Sequence, residues 1–336
     1  VSRFNVSEST DWFVVSKETA EVVQIALEIS EMTDGAFDIT VGRLVDLWGF
    51  GANPTSLTIK ELEEKTAQIK PKIGYKQLEV RINPPALKKQ IPELQIDLSA
   101  IAKGYAVDCV AALLEKHGFV HYLIEVGGEV RCRGNKGVSG DWIVGIEKPL
   151  FTSSDNSPNH FPGLQRKLRL GDWALATSGD YQNFRELDGV KYSHFIDPRT
   201  GLPTKPAVSA PEPVSPEPVS PEPSTSESAP LESATSKPLI PEPALTEPAL
   251  PEPTTSESVT PKLTEQLGSV SVLAETCVRA DALATALFVL GEQKGLELAE
   301  QHKIAALFLL RTKQKDRPIR ESASSAFNQL SVVSSQ

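Results

Sequence analysis

The sequence has few of the short features that identify a fold or an activity by themselves. Only 3 of its 336 residues are cysteine, they lie far apart at Cys109, Cys132 and Cys277, and no C-x-x-C pair occurs. These cysteines indicate small core residues rather than a disulfide framework or a zinc site. No run of 18 apolar residues predicts a transmembrane helix. A Rossmann G-x-G-x-x-G fingerprint, a P-loop and a G-x-S-x-G nucleophile elbow are also absent.

Aromatic residues are missing from residues 206–265, which contain 15 Pro, 10 Glu and 2 Lys in units such as PEPVSPEPVS. A segment of this composition cannot bury a core, so we expect a disordered Pro/Glu-rich insertion. It carries −8 of the chain's net charge of −10, which leaves −2 for the remainder. A remainder so close to neutral gives no electrostatic reason to expect nucleic acid or acidic lipid as a partner.

The remainder, residues 1–205 and 266–336, shows helical and strand-like periodicity in turn. We expect helices over residues 17–33, 58–69, 97–117 and 292–303, and strands over 78–82, 91–96, 122–133, 142–147, 167–177 and 304–311. Gly127-Gly128 predicts a bulge inside the strand at 122–133. These elements do not repeat as regular βαβ units, which predicts an α+β fold in a single domain.

The stretch from Ser269 to Gly291 combines an alternating strand with a helix, and it carries polar residues where apolar ones would pack. Asp281 and Thr285 stand four apart, so on a helix they share one face. A carboxylate and a hydroxyl in this arrangement suit Mg2+, which takes one or two protein carboxylates and completes its shell with water and phosphate. The alternative is a partly exposed Asp and a Thr that bonds back to the preceding turn.

A second polar cluster, Asp97, Ser99 and Lys103, marks the expected start of the helix at 97–117. Free N–H groups and the positive end of the helix dipole favour anions there, and the Lys adds a positive charge, so the cluster indicates a phosphate site. Small residues in the same stretch let a ligand approach closely: Ala100, Ala102, Gly104 and Ala106. Capping by Ser99 and a solvated Lys103 are the alternative.

Residues 35–51 form a Gly-rich stretch that carries a Phe and a Trp among its glycines. A loop of this kind provides a wall for a planar ligand or packs into the core. His194 lies in a predicted strand before the turn at 197–201, where a lone His is either functional or simply packed or exposed. Together these residues indicate a phosphate-bearing planar ligand held with a divalent cation.

Six motifs occur in an order that is typical of one known family. They are GAFDITVG at 35–42 with LWGFG at 47–51, DLSAIAKGYAVD at 97–108, EVGGE at 125–129, ATSGDY at 176–181, SHFIDPRTG at 193–201 and ADALATALFVLG at 280–291. By these motifs the sequence resembles the ApbE-type FAD:protein FMN transferases. The resemblance covers residues 1–327 apart from the Pro/Glu-rich segment.

The resemblance implies an α+β fold of mixed and antiparallel sheets with packed helices, of the ApbE or T-fold-like type. It implies Mg2+-dependent transfer of FMN from FAD to a threonine hydroxyl of an acceptor protein, with release of AMP. Typical acceptors are flavoprotein subunits of membrane redox complexes. The matching motifs suggest the metal ligands Asp281, Thr285 and the backbone carbonyl of Ala100, the FAD-site residues Ala36, Phe37, Asp38, Asp97, Lys103 and Ile196, and the catalytic residue His194.

The sequence departs from the family pattern in three ways. Arg43 and Asp46 stand where members commonly carry Pro and Asn, and the Pro/Glu-rich segment interrupts a link that is usually short. The first strand of the family, and the signal or lipoprotein segment of many members, would come before Val1. We therefore expect a protein at the periplasmic face of the inner membrane, lipid-anchored in a longer form, with membrane association only through that N-terminal anchor.

Two other functions fit the same residues. If water replaced the acceptor hydroxyl, the protein would be an FAD pyrophosphatase that releases FMN and AMP. If metal ligation were lost, it would be a non-catalytic periplasmic flavin-binding protein. The presence of both Asp281 and Thr285 argues against this last function.

Deletion of residues 207–264 should leave folding and FAD turnover nearly unchanged. Closing a flexible loop of about 60 residues costs about 3.6 kcal/mol plus a constant, and a much shorter loop already costs most of this. The melting temperature and the rate of FAD consumption of the deletion variant test the expectation. A melting temperature lower by many degrees, or a large loss of turnover, would mean that the segment packs on the domain.

Overall fold

The computed structural model describes residues 1–51, 56–150, 163–180, 184–188, 190–204, 265–314, 316–330 and 332–333. Its α-helices are α1 Ser2–Val6, α2 Lys17–Met32, α3 Gly42–Leu47, α4 Ile59–Ile69, α5 Ala102–Lys116, α6 Cys277–Gln301 and α7 Ser325–Gln329. Its strands are β1 Phe13–Val14, β2 Leu78–Arg81, β3 Ala86–Lys89, β4 Tyr122–Val126, β5 Glu129–Arg133, β6 Ile143–Glu147, β7 Leu164–Arg169, β8 Ala174–Gly179, β9 Phe184–Leu187, β10 Val190–Ser193, β11 Ile196–Asp197, β12 Leu202–Pro203, β13 Glu265–Ala274, β14 Ala305–Thr312, β15 Ile319–Ala323 and β16 Val332–Val333. Short 3-10 helices cover Ile39–Val41, Lys70–Lys72, Tyr75–Gln77 and Gly137–Ser139.

A six-stranded antiparallel sheet in the order β15-β14-β13-β8-β5-β4 forms the centre of the fold. Because successive side chains of a strand point to opposite faces, both faces of this sheet carry apolar residues. On β14, Phe308 packs in the cluster with α2 and α6. Its neighbours Leu307 and Leu309 pack with β6, β7 and α7 on the other side. The sheet is therefore covered on both faces, and the α+β prediction is confirmed.

The strand β13 joins the two parts of the chain that flank the Pro/Glu-rich segment. It pairs with β8, which precedes the segment, and with β14, which follows it. The predicted insertion at 206–265 lies outside the described residues except for Glu265, which is the first residue of β13. The end of the insertion as predicted therefore falls one residue inside this strand.

Two helices cap each other where α5 crosses α6. The carboxylate of Asp108 on α5 accepts the N–H groups of Cys277 and Val278 in the first turn of α6, at 3.0 and 2.8 Å. In return, Asp281 on α6 accepts the N–H of Gly104 in the first turn of α5 at 2.9 Å. Each carboxylate satisfies backbone groups that have no partner within their own helix. This reciprocal capping fixes the two helix starts against each other.

Gly104 lets the two backbones approach at this crossing. A Cβ atom placed on Gly104 would lie 2.3 Å from the carbonyl oxygen of Cys277 and 2.8 Å from the Cβ of Asp281. Both atoms are fixed by the helix that carries them, so no side chain fits without moving α6. The glycine in the motif at 97–108 is thus required by helix packing.

The predicted helices are close to those in the structure. The helix at 17–33 is α2, the helix at 58–69 is α4 with Thr58 as its N-cap in a capping box, and the helix that ends near His117 is α5. The helix predicted within 269–291 and the separate helix predicted at 292–303 form α6, which is interrupted at Gly291, where φ is 77°.

The predicted strand at 91–96 is wrong, because this segment is irregular and the strand at that point of the chain is β3 instead. Its apolar residues Leu94 and Ile96 are nonetheless buried. The backbone of Ile96 bonds the side chain of Asn5 in both directions, at 2.9 Å from its N–H and 2.8 Å to its carbonyl. A side-chain amide thus takes the role of a neighbouring strand, which periodicity cannot reveal.

Two further strand predictions need correction. Gly127 and Gly128 form a two-residue hairpin turn between β4 and β5, not a bulge, since both have positive φ (61° and 97°) and Val126 pairs with Glu129. The predicted strand at 167–177 is two strands, β7 and β8, in different sheets, with a turn at 170–173 between them. Apolar residues continue through that turn, so the alternation conceals it.

None of the helices in the described part of the chain is long and apolar enough to cross a membrane.

Gly104→Ala should destabilise the protein by about 1–3 kcal/mol, as expected for an overpacked core, even though Ala is a better helix former than Gly. Thermal or denaturant unfolding of the variant measures this loss. Ala112→Ser, which adds one atom at an exposed position of the same helix, is the matched control. Equal or higher stability of Gly104→Ala would contradict the close approach of α5 and α6.

Candidate functional site

A cavity of about 750 Å3 opens where α5, α6, β8 and the loop at 35–51 meet. The ten residues that the family resemblance assigned to the site all contribute to its wall: Ala36, Phe37, Asp38, Asp97, Ala100, Lys103, His194, Ile196, Asp281 and Thr285. These residues come from four separate motifs. The structure therefore brings the predicted site residues together in one place, while the role of each stays a prediction.

Asp281 and Thr285 lie side by side on α6 and both line the cavity. Asp281 is only 4% exposed, and burial raises the pKa of its carboxyl, against the opposing effects of Lys103 and the Gly104 N–H. The Thr285 hydroxyl lies 3.1 Å from the hydroxyl of Ser178 on β8. The alternative of a partly exposed Asp and a Thr bonded to its own helix is therefore wrong.

Lys103 forms an ion pair with Glu129, the first residue of β5. The Lys103 side chain is 46% exposed, whereas that of Glu129 is 3% exposed, so the carboxylate is fixed and the ammonium reaches to it. Burial raises the pKa of Glu129, Lys103 lowers it, and the charge of Asp281 raises it further. Two buried carboxyl groups and one ammonium group thus stand at the wall of the cavity.

The predicted helix start at 97–100 is displaced, because α5 begins at Ala102. Asp97 accepts the N–H of Ser99 at 2.7 Å in the turn that precedes the helix, and Ser99 does not cap it. An N–H of the first helical turn, that of Gly104, is already taken by Asp281. The N–H of Gly104 at this helix start thus serves the protein's own carboxylate, and the phosphate site expected here stays a prediction.

Asp38 lines the cavity with both carboxylate oxygens engaged by the protein. One accepts the N–H and the hydroxyl of Thr40, at 2.8 and 2.7 Å, and the other accepts the N–H of Tyr75 at 2.7 Å. Burial raises the pKa of Asp38, and these hydrogen bonds oppose the rise. The geometry suits a residue that holds the loop at 35–51 in shape beside Phe37.

The aromatic residues of the loop at 35–51 divide between wall and core. Phe37 and Phe50 line the cavity, while Trp48 is 1% exposed and donates its indole N–H to the carbonyl of Gly201 at 3.2 Å. The ring of His194 stacks at a tilt on Phe195 with 4.1 Å between centroids, and it lies edge-on to Phe50 at 6.5 Å. Both predicted roles of this loop therefore occur: Phe37 and Phe50 form part of the cavity wall, and Trp48 packs into the core.

Several cavity residues had no role in the sequence-based prediction. Gly127, Glu129, Thr177, Ser178, Gly179 and Arg185 all line the cavity. Most lie within the EVGGE and ATSGDY motifs, so the motifs marked the segments without indicating which side chains face inward. In the second motif, Asp180 instead forms a buried ion pair with Arg311 at 2.7 Å, and Tyr181 lies outside the described residues.

The side chains at the cavity fit a hard divalent cation that a phosphate ligand helps to hold. Within the described ranges, no cluster of three or more His, Cys, Asp or Glu residues could bind a metal by itself. The cavity offers the buried carboxylate of Asp281, the hydroxyl of Thr285 and a buried oxygen of Glu129 that has no hydrogen-bond partner among the described residues, and oxygen donors of this kind are those that Mg2+ prefers.

The architecture is that of known flavin transferases. The flavin transferase ApbE from Vibrio cholerae superposes with a TM-score of 0.69 at 34% identity, over 98% of this chain and 82% of that one. The Pseudomonas stutzeri flavinyl transferase ApbE gives a TM-score of 0.68 at 28% identity, over 98% and 79%. This chain therefore has the fold of a flavin transferase.

The sequence comparisons agree with the structural ones. The model of the ApbE family matches residues 1–210 and 252–308. The FAD:protein FMN transferase of Vibrio cholerae serotype O1 is 35% identical over 327 residues, which is 97% of this chain and 76% of the relative. That of Escherichia coli K12 is 33% identical over 316 residues, 94% and 70%. The chain belongs to the ApbE family, and the resemblance inferred from the motifs is confirmed.

Proposed function

We propose that this protein is an enzyme that transfers FMN from FAD to an acceptor protein. The observation that carries the proposal is the meeting of ten motif residues in one cavity of about 750 Å3, a size within the range of cofactor sites. Relatives that are 30–35% identical are named FAD:protein FMN transferase, which supports the same activity.

We further propose that the reaction uses Mg2+, held by Asp281, the hydroxyl of Thr285 and the backbone carbonyl of Ala100. Bound there with the pyrophosphate of FAD, the cation would neutralise phosphate charge as the transferred group changes partner. Lys103 adds a positive charge at the same wall, which favours the phosphate side of the ligand. Phe37 and Phe50 provide apolar surface that suits a flavin ring.

In the proposed reaction the hydroxyl oxygen of an acceptor threonine attacks the FMN-side phosphorus. The new oxygen–phosphorus bond forms as the pyrophosphate bond breaks, AMP leaves with the second phosphate, and the hydroxyl loses its proton. His194 is the histidine among the residues that line the cavity, so we assign it the removal of that proton. Its ring is held between Phe195 and Phe50, which gives it a defined orientation.

We also propose the setting of the reaction. The acceptors would be flavoprotein subunits of membrane redox complexes, and the protein would act at the periplasmic face of the inner membrane, anchored by a lipid on an N-terminal segment of a longer form. These proposals rest on the resemblance described from the motifs. A net charge of −2 outside residues 206–265 is consistent with membrane attachment through an anchor rather than through a basic surface.

Incubation with FAD, Mg2+ and a threonine-bearing acceptor fragment tests the proposed function. We expect a covalent flavoprotein and an equal amount of AMP, measured by in-gel flavin fluorescence and chromatography. Free FMN with AMP would instead indicate an FAD pyrophosphatase, which the same cavity would serve. Unchanged FAD would indicate a flavin-binding protein without turnover.

Asp281→Asn should reduce FMN transfer by at least about 100-fold and leave the protein folded. The amide oxygen can still accept the N–H of Gly104, so the variant removes the charge and keeps the contact between α5 and α6. Single-turnover transfer rates, measured over a range of Mg2+ concentrations, check the expectation. Retention of Mg2+-dependent transfer at the native rate would overturn the metal assignment.

His194→Ala should slow transfer by about 100-fold or more while changing FAD affinity only slightly, because a general base acts on the acceptor proton. The rate with bound FAD and the dissociation constant of FAD are measured separately. His194→Gln, which keeps a polar side chain, is the companion variant and should be equally slow. Weaker FAD binding with an unchanged rate would make His194 a binding residue.

A further inference from the structure

Glu129 has a carboxylate oxygen with no assigned purpose at the wall of the cavity. The residue is 2% exposed and follows the hairpin turn at Gly127-Gly128, and its Oε1 pairs with the ammonium of Lys103. Its Oε2 is fully buried and, within the described residues, has no hydrogen-bond partner. Most buried carboxylate oxygens are satisfied, because an unpartnered one costs free energy. The Oε2 atom of Glu129 is therefore a candidate to bind a ligand.

The stem of Lys103 is guided to Glu129 by the hairpin. A Cβ atom on Gly127, which has φ 61°, would lie 3.3 Å from the Cδ of Lys103, so the glycine leaves room for the lysine to pass. The lysine satisfies only one of the two Glu129 oxygens. The ion pair with Lys103 thus accounts for the burial of Oε1, but it does not account for the burial of Oε2.

Charge in this part of the cavity is unbalanced. Glu129 and Asp281 are both buried acidic groups, the charge of Asp281 raises the pKa of Glu129, and the ammonium of Lys103 acts on both carboxyl groups. A pyrophosphate group brings further negative charge to the same wall, and like charges at short range repel strongly where water is excluded. A divalent cation would reverse this balance, because it attracts the carboxylates and the phosphates together.

We propose that Glu129 couples the binding of FAD to the binding of the divalent cation. Its Oε2 serves the cation when one is present and repels the pyrophosphate when none is. This inference rests on the proposed function only in taking FAD as the ligand and Mg2+ as the cation. It adds to Asp281 a second acidic residue for the cation, and it makes the cation a condition for tight FAD binding.

The test compares FAD affinity with and without Mg2+ in the wild type and in Glu129→Gln. The dissociation constant of FAD is measured by flavin fluorescence without acceptor, once in EDTA and once in Mg2+, and chromatography verifies that FAD stays intact. In the wild type we expect FAD to bind at least about tenfold more tightly with Mg2+. In Glu129→Gln, binding should become tighter in EDTA and weaker in Mg2+, so the ratio should fall at least tenfold.

A second variant separates the two parts of the proposal and covers a failure of Glu129→Gln to fold. Glu129→Asp keeps the negative charge, but its side chain is shorter by one methylene group, so the carboxylate lies farther from the cation. Its FAD affinity in EDTA should match that of the wild type, while its affinity in Mg2+ should be lower. Thermal melts of both variants identify any loss of folding.

Two controls match these variants. Glu93→Gln removes the carboxylate of the exposed Lys72–Glu93 ion pair, at 2.9 Å, which does not line the cavity, and it should leave the ratio unchanged. Riboflavin lacks phosphate groups, so its affinity should not depend on Mg2+ and should be equal in the wild type and in Glu129→Gln.

Three results would overturn the inference. Equal weakening of FAD binding in EDTA and in Mg2+ by Glu129→Gln would make Glu129 a residue that only positions Lys103. Wild-type FAD binding that is independent of Mg2+ would remove the coupling itself. Tight, Mg2+-dependent binding that persists in Glu129→Gln would assign the coupling to other residues. A failure of the proposed function is distinct from these, since the wild type would then bind no FAD or transfer no FMN.

Discussion

The site depends on the crossing of α5 and α6, where each helix supplies the carboxylate that caps the other. Asp108 receives two N–H groups of α6, and Asp281 receives one of α5. Gly104 allows this contact because a Cβ there would meet the backbone of Cys277. The crossing places Asp281 beside Lys103 at the cavity wall. A substitution that separates the two helices would therefore break the contact between α5 and α6 and would also move Asp281 away from Lys103.

The same crossing explains why the cavity is acidic at the point where a phosphate ligand is proposed. The carboxylate of Asp281 is held at the cavity wall because it accepts the N–H of Gly104 in the first turn of α5. Glu129 is held there because it directly follows a two-residue hairpin turn. Burial and the charge of Asp281 raise the pKa of Glu129, and Lys103 offsets this only in part. An arrangement of this kind disfavours a bare pyrophosphate, and a divalent cation bound with it would offset the repulsion.

Local periodicity predicted the elements whose stabilising contacts lie within a short stretch of chain. The helices α2 and α4 carry their own caps, Ser16 and Thr58, so their limits follow from a few neighbouring residues. The segment at 91–96 was predicted wrongly because Asn5, some 91 residues away, satisfies its backbone. The strands β7 and β8 were merged because nothing in the alternation shows that they join different sheets.

The sequence by itself determined the α+β class, the family and ten of the residues that line the cavity, because short motifs record which residue types a chemistry needs. The tertiary structure alone decided what each of them contacts. It engaged one oxygen of Asp38 with Thr40 and the other with the N–H of Tyr75, paired Lys103 with Glu129, and left Glu129 Oε2 without a hydrogen-bond partner among the described residues. The contacts of Asp38 with Tyr75 and of Lys103 with Glu129 join residues 37 and 26 positions apart, and the orientation of a side chain across such distances is fixed by packing, which spacing along the chain does not encode.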